Sequence, residues 1–229
     1  MGVYGLTTWL NNQKGFNYYF DLNRFQTTEY HLAADFLNIC HNFSSCFAPH
    51  FIEGIDGVSL YRYAVELFSE LRARNIIVHL FVEIPNQEDL LFKFDRSKEI
   101  WETEYIAMME IPEEMYESSH RSLPLHGSFG FMQAAHQTGH RLVFVPGEGD
   151  SYMAHAVASG VCSAVWSSDS DFLVFPKCRM LELRNFKMVL ENLQQNKKCK
   201  HKLISSEDIA RRLKLTEADL ITFSSDCRL

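Results

Sequence analysis

The sequence predicts an α/β fold with a doubly wound, mostly parallel sheet and helices on both faces. Segments with helical spacing alternate with short apolar segments, one of which, Ile76 to Val82, is rich in β-branched residues and apolar on both faces, and acids recur just after them.

In chain order, His31 to Ala34 reads as a first short strand. Leu60, Tyr63, Ala64, Leu67, Phe68 and Leu71 follow the i, i+3, i+4, i+7 spacing of an amphipathic helix. Ile76 to Val82 then reads as a buried parallel strand. The pairing recurs: a helical pattern over Phe129 to His136 precedes the strand Leu142 to Val145, and one over Ser151 to Ser159 precedes Cys162 to Trp166. Ser205 and Thr216 each carry an Asp three residues later, an Asp variant of the capping-box spacing, and mark two further helix starts. Gln87 to Ser122, polar and helical with a break at Pro112, reads as an insertion between two of these units. No internal repeat or low-complexity linker divides the 229 residues, which suit one domain.

The chain carries 22 Lys plus Arg against 29 Asp plus Glu, a formal charge of −7, which argues against a binder that works through a broad basic surface. Its charge is segregated. Glu99 to Ser119 holds seven Glu and no Lys or Arg, whereas Lys177 to Lys214 holds eleven basic residues against four acids, including Lys197, Lys198, Lys200 and Lys202. At 46% apolar residues a sizeable core is available, yet no apolar run approaches the roughly 20 residues of a membrane span. The start lacks the features of a signal peptide, and six cysteines without a CxxC pair read as reduced thiols. These features lead us to expect an intracellular protein without a membrane partner.

The chemistry concentrates in seven acids that follow apolar segments: Asp35, Glu83, Glu148, Asp150, Asp169, Asp171 and Asp226. In an α/β sheet of parallel strands such positions share one edge, where ligands bind. Crowded carboxylates repel unless protons or cations neutralise them, and hard divalent cations take oxygen ligands. Two such ions about 3.5–4 Å apart can activate water and stabilise the leaving oxygen of a phosphodiester. Each motif also has a plainer reading. Glu148 and Asp150 suit the first turn of a helix, and Ser-Asp-Ser-Asp suits a turn whose side chains bond nearby amides. Cys40, His41, Cys46 and His50 lack the usual zinc-ligand spacing, there is no GxxxxGK[ST] phosphate loop, and no nucleophile elbow surrounds Ser151.

The start Met1-Gly2-Val3-Tyr4-Gly5-Leu6-Thr7-Thr8-Trp9-Leu10 resembles the flap endonuclease/XPG superfamily of PIN-like nucleases, and Ser167-Ser168-Asp169-Ser170-Asp171-Phe172 is most similar to its Asteroid branch. The resemblance runs in order through Gly147-Glu148-Gly149-Asp150 to Ser224-Ser225-Asp226. It implies a PIN-like domain over 1–229, combining the XPG N-terminal and internal regions, with an arch-like helical insertion at about 87–122 and the C-terminal duplex-binding helical element absent or truncated. The implied activity is a metal-dependent structure-specific or single-strand endonuclease acting on DNA or RNA, with two Mg²⁺ or Mn²⁺ ions and a role in DNA repair. Asp35, Glu148, Asp169 and Asp171 would be catalytic acids binding metal, Asp150, Asp226 and Glu83 would support the metals, and Lys93 and Arg96 would contact the scissile phosphate. Gly2 would lie near the site. The superfamily resemblance favours the nucleus over the cytoplasm.

Two departures accompany these matches. Glu83, followed by Ile84-Pro85, stands where relatives have Asp-Gly, and the insertion is acidic where flap endonucleases carry a basic arch. A second reading is therefore a PIN-like protein-interaction module, inactive or weakly active, whose acidic 99–119 segment meets a protein partner.

Overall fold

The computed structural model describes residues 18–46, 57–84, 125–183 and 185–220. Strand β1 (Tyr19–Asp21) and strand β2 (Tyr30–Asp35) lead into helix α1 (Phe36–Cys46). Helix α2 (Gly57–Ala73) feeds β3 (Ile76–Ile84), α3 (Leu125–Gln137) feeds β4 (Arg141–Pro146), and α4 (Asp150–Ala158) feeds β5 (Ala164–Ser167). A 3-10 turn at Ser170–Val174, strand β6 (Arg179–Glu182), helix α5 (Phe186–Gln194), strand β7 (Lys200–Ser205) and helix α6 (Ser206–Leu213) follow. The expected insertion, together with Gly2, Lys93, Arg96 and Asp226, lies outside the described residues.

The strands form one sheet in the order β1-β7-β6-β5-β2-β3-β4. Pairs β2/β3, β3/β4, β2/β5 and β5/β6 are parallel, while β7 runs antiparallel to both β6 and β1. From β2 the chain winds outward through β3 and β4, then returns to β2's other side with β5. The order therefore reverses between β2 and β5, which opens a crevice outside their carboxyl ends.

Alternation along the strands assigns residues to two cores. Leu32 and Ala34 of β2, Ile76, Val78 and Leu80 of β3, and Ala164 and Trp166 of β5 join the larger core with α1, α2, α3 and α5. Ala33, Phe81 and Val165 turn the other way, against Met153, Ala154, Ala156 and Val157 of α4. This is why β2 and β3 are apolar at successive positions: each face must be buried. The stripe on α2 places Leu67, Phe68 and Leu71 at 0% exposure; each such side chain contributes about 1.5–3 kcal/mol by leaving water.

The amino ends of the strands are held by polar groups with defined partners. His140 accepts the Val78 N–H at Nδ1 and donates from Nε2 to the Phe68 carbonyl, both at 2.9 Å. Burial pushes its pKa down to about 4, so the ring is neutral and this tautomer ties α2 to β3. Arg74, 3% exposed, gives its guanidinium to Asn23, to Glu70, to the Leu193 carbonyl and to Asn196. One cation thereby joins the β1–β2 connection, α2 and the end of α5.

The capping spacings at Ser205 and Thr216 both mark helical starts. Ser205 Oγ accepts the Asp208 N–H at 3.1 Å, and Thr216 Oγ1 accepts that of Asp219 at 3.2 Å. Among the described residues no helix is long and apolar enough to cross a membrane. Cys40, Cys46, Cys162, Cys178 and Cys199 are thiols outside any disulfide.

Candidate functional site

Each acid on the parallel strands stands where its strand stops. Asp35 ends β2, on the same face as Ala33 and therefore toward α4. Its Oδ1 accepts the N–H groups of Leu37 at 2.8 Å and Asn38 at 3.3 Å, so the carboxylate also caps the first turn of α1. That bond accounts for an acid within the apolar run Ala33-Ala34-Asp35-Phe36-Leu37.

Glu83 lies one residue before the end of β3, paired with Val145, and its Oε1 accepts the Gly149 N–H at 2.9 Å. Beyond β4 the chain turns at Gly147, whose φ of +72° is open to glycine at little cost, and enters α4 at Asp150. Glu148 is exposed on this turn and Asp150 is partly buried in the first helical turn. After β5, the buried Ser167 accepts the Asp169 N–H at Oγ (3.0 Å), and Asp169 Oδ1 accepts the Asp171 N–H (3.0 Å). Ser168 reaches Asn38 of α1 at 3.5 Å, tying the β5 loop to the helix that begins beside Asp35.

The local readings hold at two of these positions, Asp150 as a first-turn acid and Asp169 in an Asx-type turn, whereas Glu148 lies one residue before the N-cap Gly149 and so outside the first turn. The tertiary fold adds their convergence. Burial first, and then the charges of Asp169, Asp35, Glu83 and Glu148 in that order, together raise the Asp150 pKa to about 6. Charges from four strand ends act on one partly buried carboxyl, and all of them are negative. Such a group holds its proton into the range where most carboxyls are ionised, unless a cation replaces it.

The donor set, oxygen throughout, fits Mg²⁺ or Mn²⁺ in its chemistry. In the side-chain positions of this structure the acids converge without closing into a ligand shell: among the described residues no three His, Cys, Asp or Glu groups stand close enough to hold an ion. Several carboxylate oxygens are turned instead to backbone amides, as at Asp35, Glu83 and Asp169. A cavity of about 530 Å³ lies elsewhere, at the amino ends of β2, β5 and β6, bordered by Tyr30, Ser163, Lys177 and Arg179. None of the candidate acids lines it.

Ser167 and Asn38, which tie the two acid loops, are not among the candidate site residues read from the sequence. Ser167 opens the Ser167–Phe172 motif, and no sequence pattern marks Asn38.

Residues 139–228 match the XPG I-region. No curated protein matches the sequence. The fold is similar to that of human GEN1 in complex with Holliday junction DNA, with a TM-score of 0.54 and 14% identity over 96% of this chain and 49% of that one. It is similar to the catalytic core of Rad2, with a TM-score of 0.53 and 12% identity over 98% of this chain and 58% of that one. Flap endonuclease-1 from Methanococcus jannaschii gives 0.54 and 15% identity over 86% of this chain and 63% of that one. The chain thus spans between 49% and 63% of the length of these three structures. Its mixed, mostly parallel seven-stranded sheet is the PIN-like α/β fold of the XPG and flap endonuclease enzymes, and the I-region match supports that superfamily.

Proposed function

We propose that this chain is a metal-dependent, structure-specific or single-strand nuclease that hydrolyses phosphodiester bonds at the carboxyl ends of β2, β3, β4 and β5. The observation that carries this reading is the like-charge convergence on Asp150, a destabilising arrangement that a bound cation would relieve. Nucleic acid, DNA or RNA, is the substrate class, and the likeness of the Ser167–Phe172 motif to the Asteroid branch supports an assignment to that branch.

Asp35, Glu148, Asp150, Asp169 and Asp171, with Asp226, would hold Mg²⁺ or Mn²⁺. Bound there, such ions supply an activated water and charge neutralisation at phosphorus. The chain's own residues preorganise this edge. Asp35 is fixed by the α1 amides, Asp169 by Ser167 and the Asp171 amide, and Asp150 by the first turn of α4. Lys93 and Arg96 would neutralise phosphate charge from the insertion. The test is cleavage of flap, single-stranded and RNA substrates by the purified chain in Mn²⁺, compared with Asp169→Asn/Asp171→Asn. Cleavage no greater than that of the double variant defeats the proposal.

The second reading, an interaction module on the same fold, draws on the acidic Glu99 to Ser119 segment, which holds seven Glu and no Lys or Arg. It predicts that a protein partner is retained, and cellular function kept, when Asp169 and Asp171 are neutralised.

A further inference from the structure

We propose that Glu83 is a positioning residue that latches the β4–α4 loop, and not a ligand in the carboxylate cluster. The inference rests on the metal-centre reading above for its consequence, but its geometry stands independently. Gly149 is the N-cap of α4 and brings no side chain to that helix start. In a capping box the N3 side chain returns to accept the N-cap N–H. Here N3 is Tyr152, which has no carboxylate or amide oxygen to offer. Glu83 supplies the missing acceptor from another strand: its Oε1 takes the buried Gly149 N–H at 2.9 Å.

The length of the side chain matters. Glu83 stands opposite Val145, so its carboxylate must reach past the end of β4 to the helix start. An Asp at this position would be shorter by one carbon–carbon bond, about 1.5 Å, and would leave hydrogen-bond range. The close approach is also visible from the other side, since a Cβ on Gly149 would lie 3.7 Å from Glu83 Cγ and 3.6 Å from Met153 Cε. Gly149 lies between Glu148 and Asp150, so the bond sets the direction in which both acids leave the loop.

Glu83→Gln keeps an oxygen acceptor and removes the charge, Glu83→Asp keeps the charge and shortens the reach, and Glu83→Ala removes both. Two measurements separate them: hydrogen exchange at the Gly149 amide without metal, and Mn²⁺ affinity from the thermal shift. The latch predicts that Glu83→Gln stays within about threefold of wild type in both, while Glu83→Asp and Glu83→Ala each lose about tenfold in Gly149 protection and in Mn²⁺ affinity. Unchanged Gly149 protection in Glu83→Asp overturns the latch, and so does a Glu83→Gln protein that keeps protection yet loses Mn²⁺ as fully as Glu83→Ala. Should Glu83→Ala fail to fold, the Gln and Asp variants still decide. If wild type binds no Mn²⁺, the metal reading fails, and exchange at Gly149 alone decides the latch.

Discussion

The two ends of the parallel strands treat titratable groups in opposite ways. At the amino end, His140 commits both ring nitrogens, His31 and His79 share a hydrogen bond of 2.9 Å, and the buried Arg74 meets acceptors on several elements. At the carboxyl end, Asp150 is surrounded by the charges of Asp169, Asp35, Glu83 and Glu148. Both environments favour neutral forms: burial, with the neighbouring His31 and Arg141, drives His79 down to about 4, while burial and nearby anions drive Asp150 up to about 6. The difference is what neutrality accomplishes. The neutral His140 completes a hydrogen-bond network and stabilises the fold, whereas a protonated Asp150 only relieves repulsion. The first pattern belongs to structure, and the second is the one on which the proposed metal site rests.

The sharpest way to break this contrast is to remove a partner at the amino end. His140→Ala leaves the Val78 N–H and the Phe68 carbonyl unpaired beside a new cavity, and should cost about 3–5 kcal/mol in urea unfolding. A cost below about 1 kcal/mol would mean that His140 does not staple α2 to β3. At the other end, Asp169→Asn/Asp171→Asn should reduce Mn²⁺-dependent cleavage by about 100-fold or more with little change in folding. A large loss of stability there would make those acids structural as well.

Asp150→Asn should stabilise the metal-free protein at pH 7 by about 1–2 kcal/mol, a figure discounted for the solvent reaching this partly exposed group. The sign follows from its raised pKa. Stability from protonated Asp150 is complete below 3.8 and is lost as pH rises through about 6. The same substitution should abolish the stabilisation by Mn²⁺ that the proposed metal site predicts for wild type. Equal Mn²⁺ shifts in both proteins would remove Asp150 from the metal site.

The smallest effect concerns the shape of the pH profile. The lowered pKa values of His79 and His140 give stability that is present above 6.5 and lost as pH falls toward about 4, the opposite slope to that of Asp150. Melting temperatures between pH 4 and 7 should therefore fall more steeply on acidification in Asp150→Asn than in wild type. Parallel profiles would show that the two ends do not oppose one another.

Much of this arrangement was legible in the chain. Helix α2 and strand β3 announce themselves by period, and the strands β2, β4 and β5 and the helix starts at Ser205 and Thr216 lie where the pattern puts them. Strands β1 and β7 were not legible. Tyr19–Asp21 is too short to show a period, and Lys200–Ser205 reads as part of a basic cluster, because its exposed and partly exposed lysines alternate with residues that only the sheet buries. Strand β6 and helix α5 were hidden in the same basic stretch, although Phe186, Val189, Leu190 and Leu193 form the buried stripe of α5.

By itself the sequence determined which residues could do chemistry: the acids that follow apolar segments, in their order, and the Gly and Ser residues beside them. These are local properties, since strand length, turn residues and caps are set within a few positions of one another. Only the tertiary structure decided which acids meet. Asp35 and Asp169 are 134 residues apart and become neighbours because β5 returns to the open side of β2. The roles of Glu83 and Ser167 were also decided there, because whether a carboxylate or hydroxyl faces a cation or a backbone N–H depends on loops that the strand order brings alongside it.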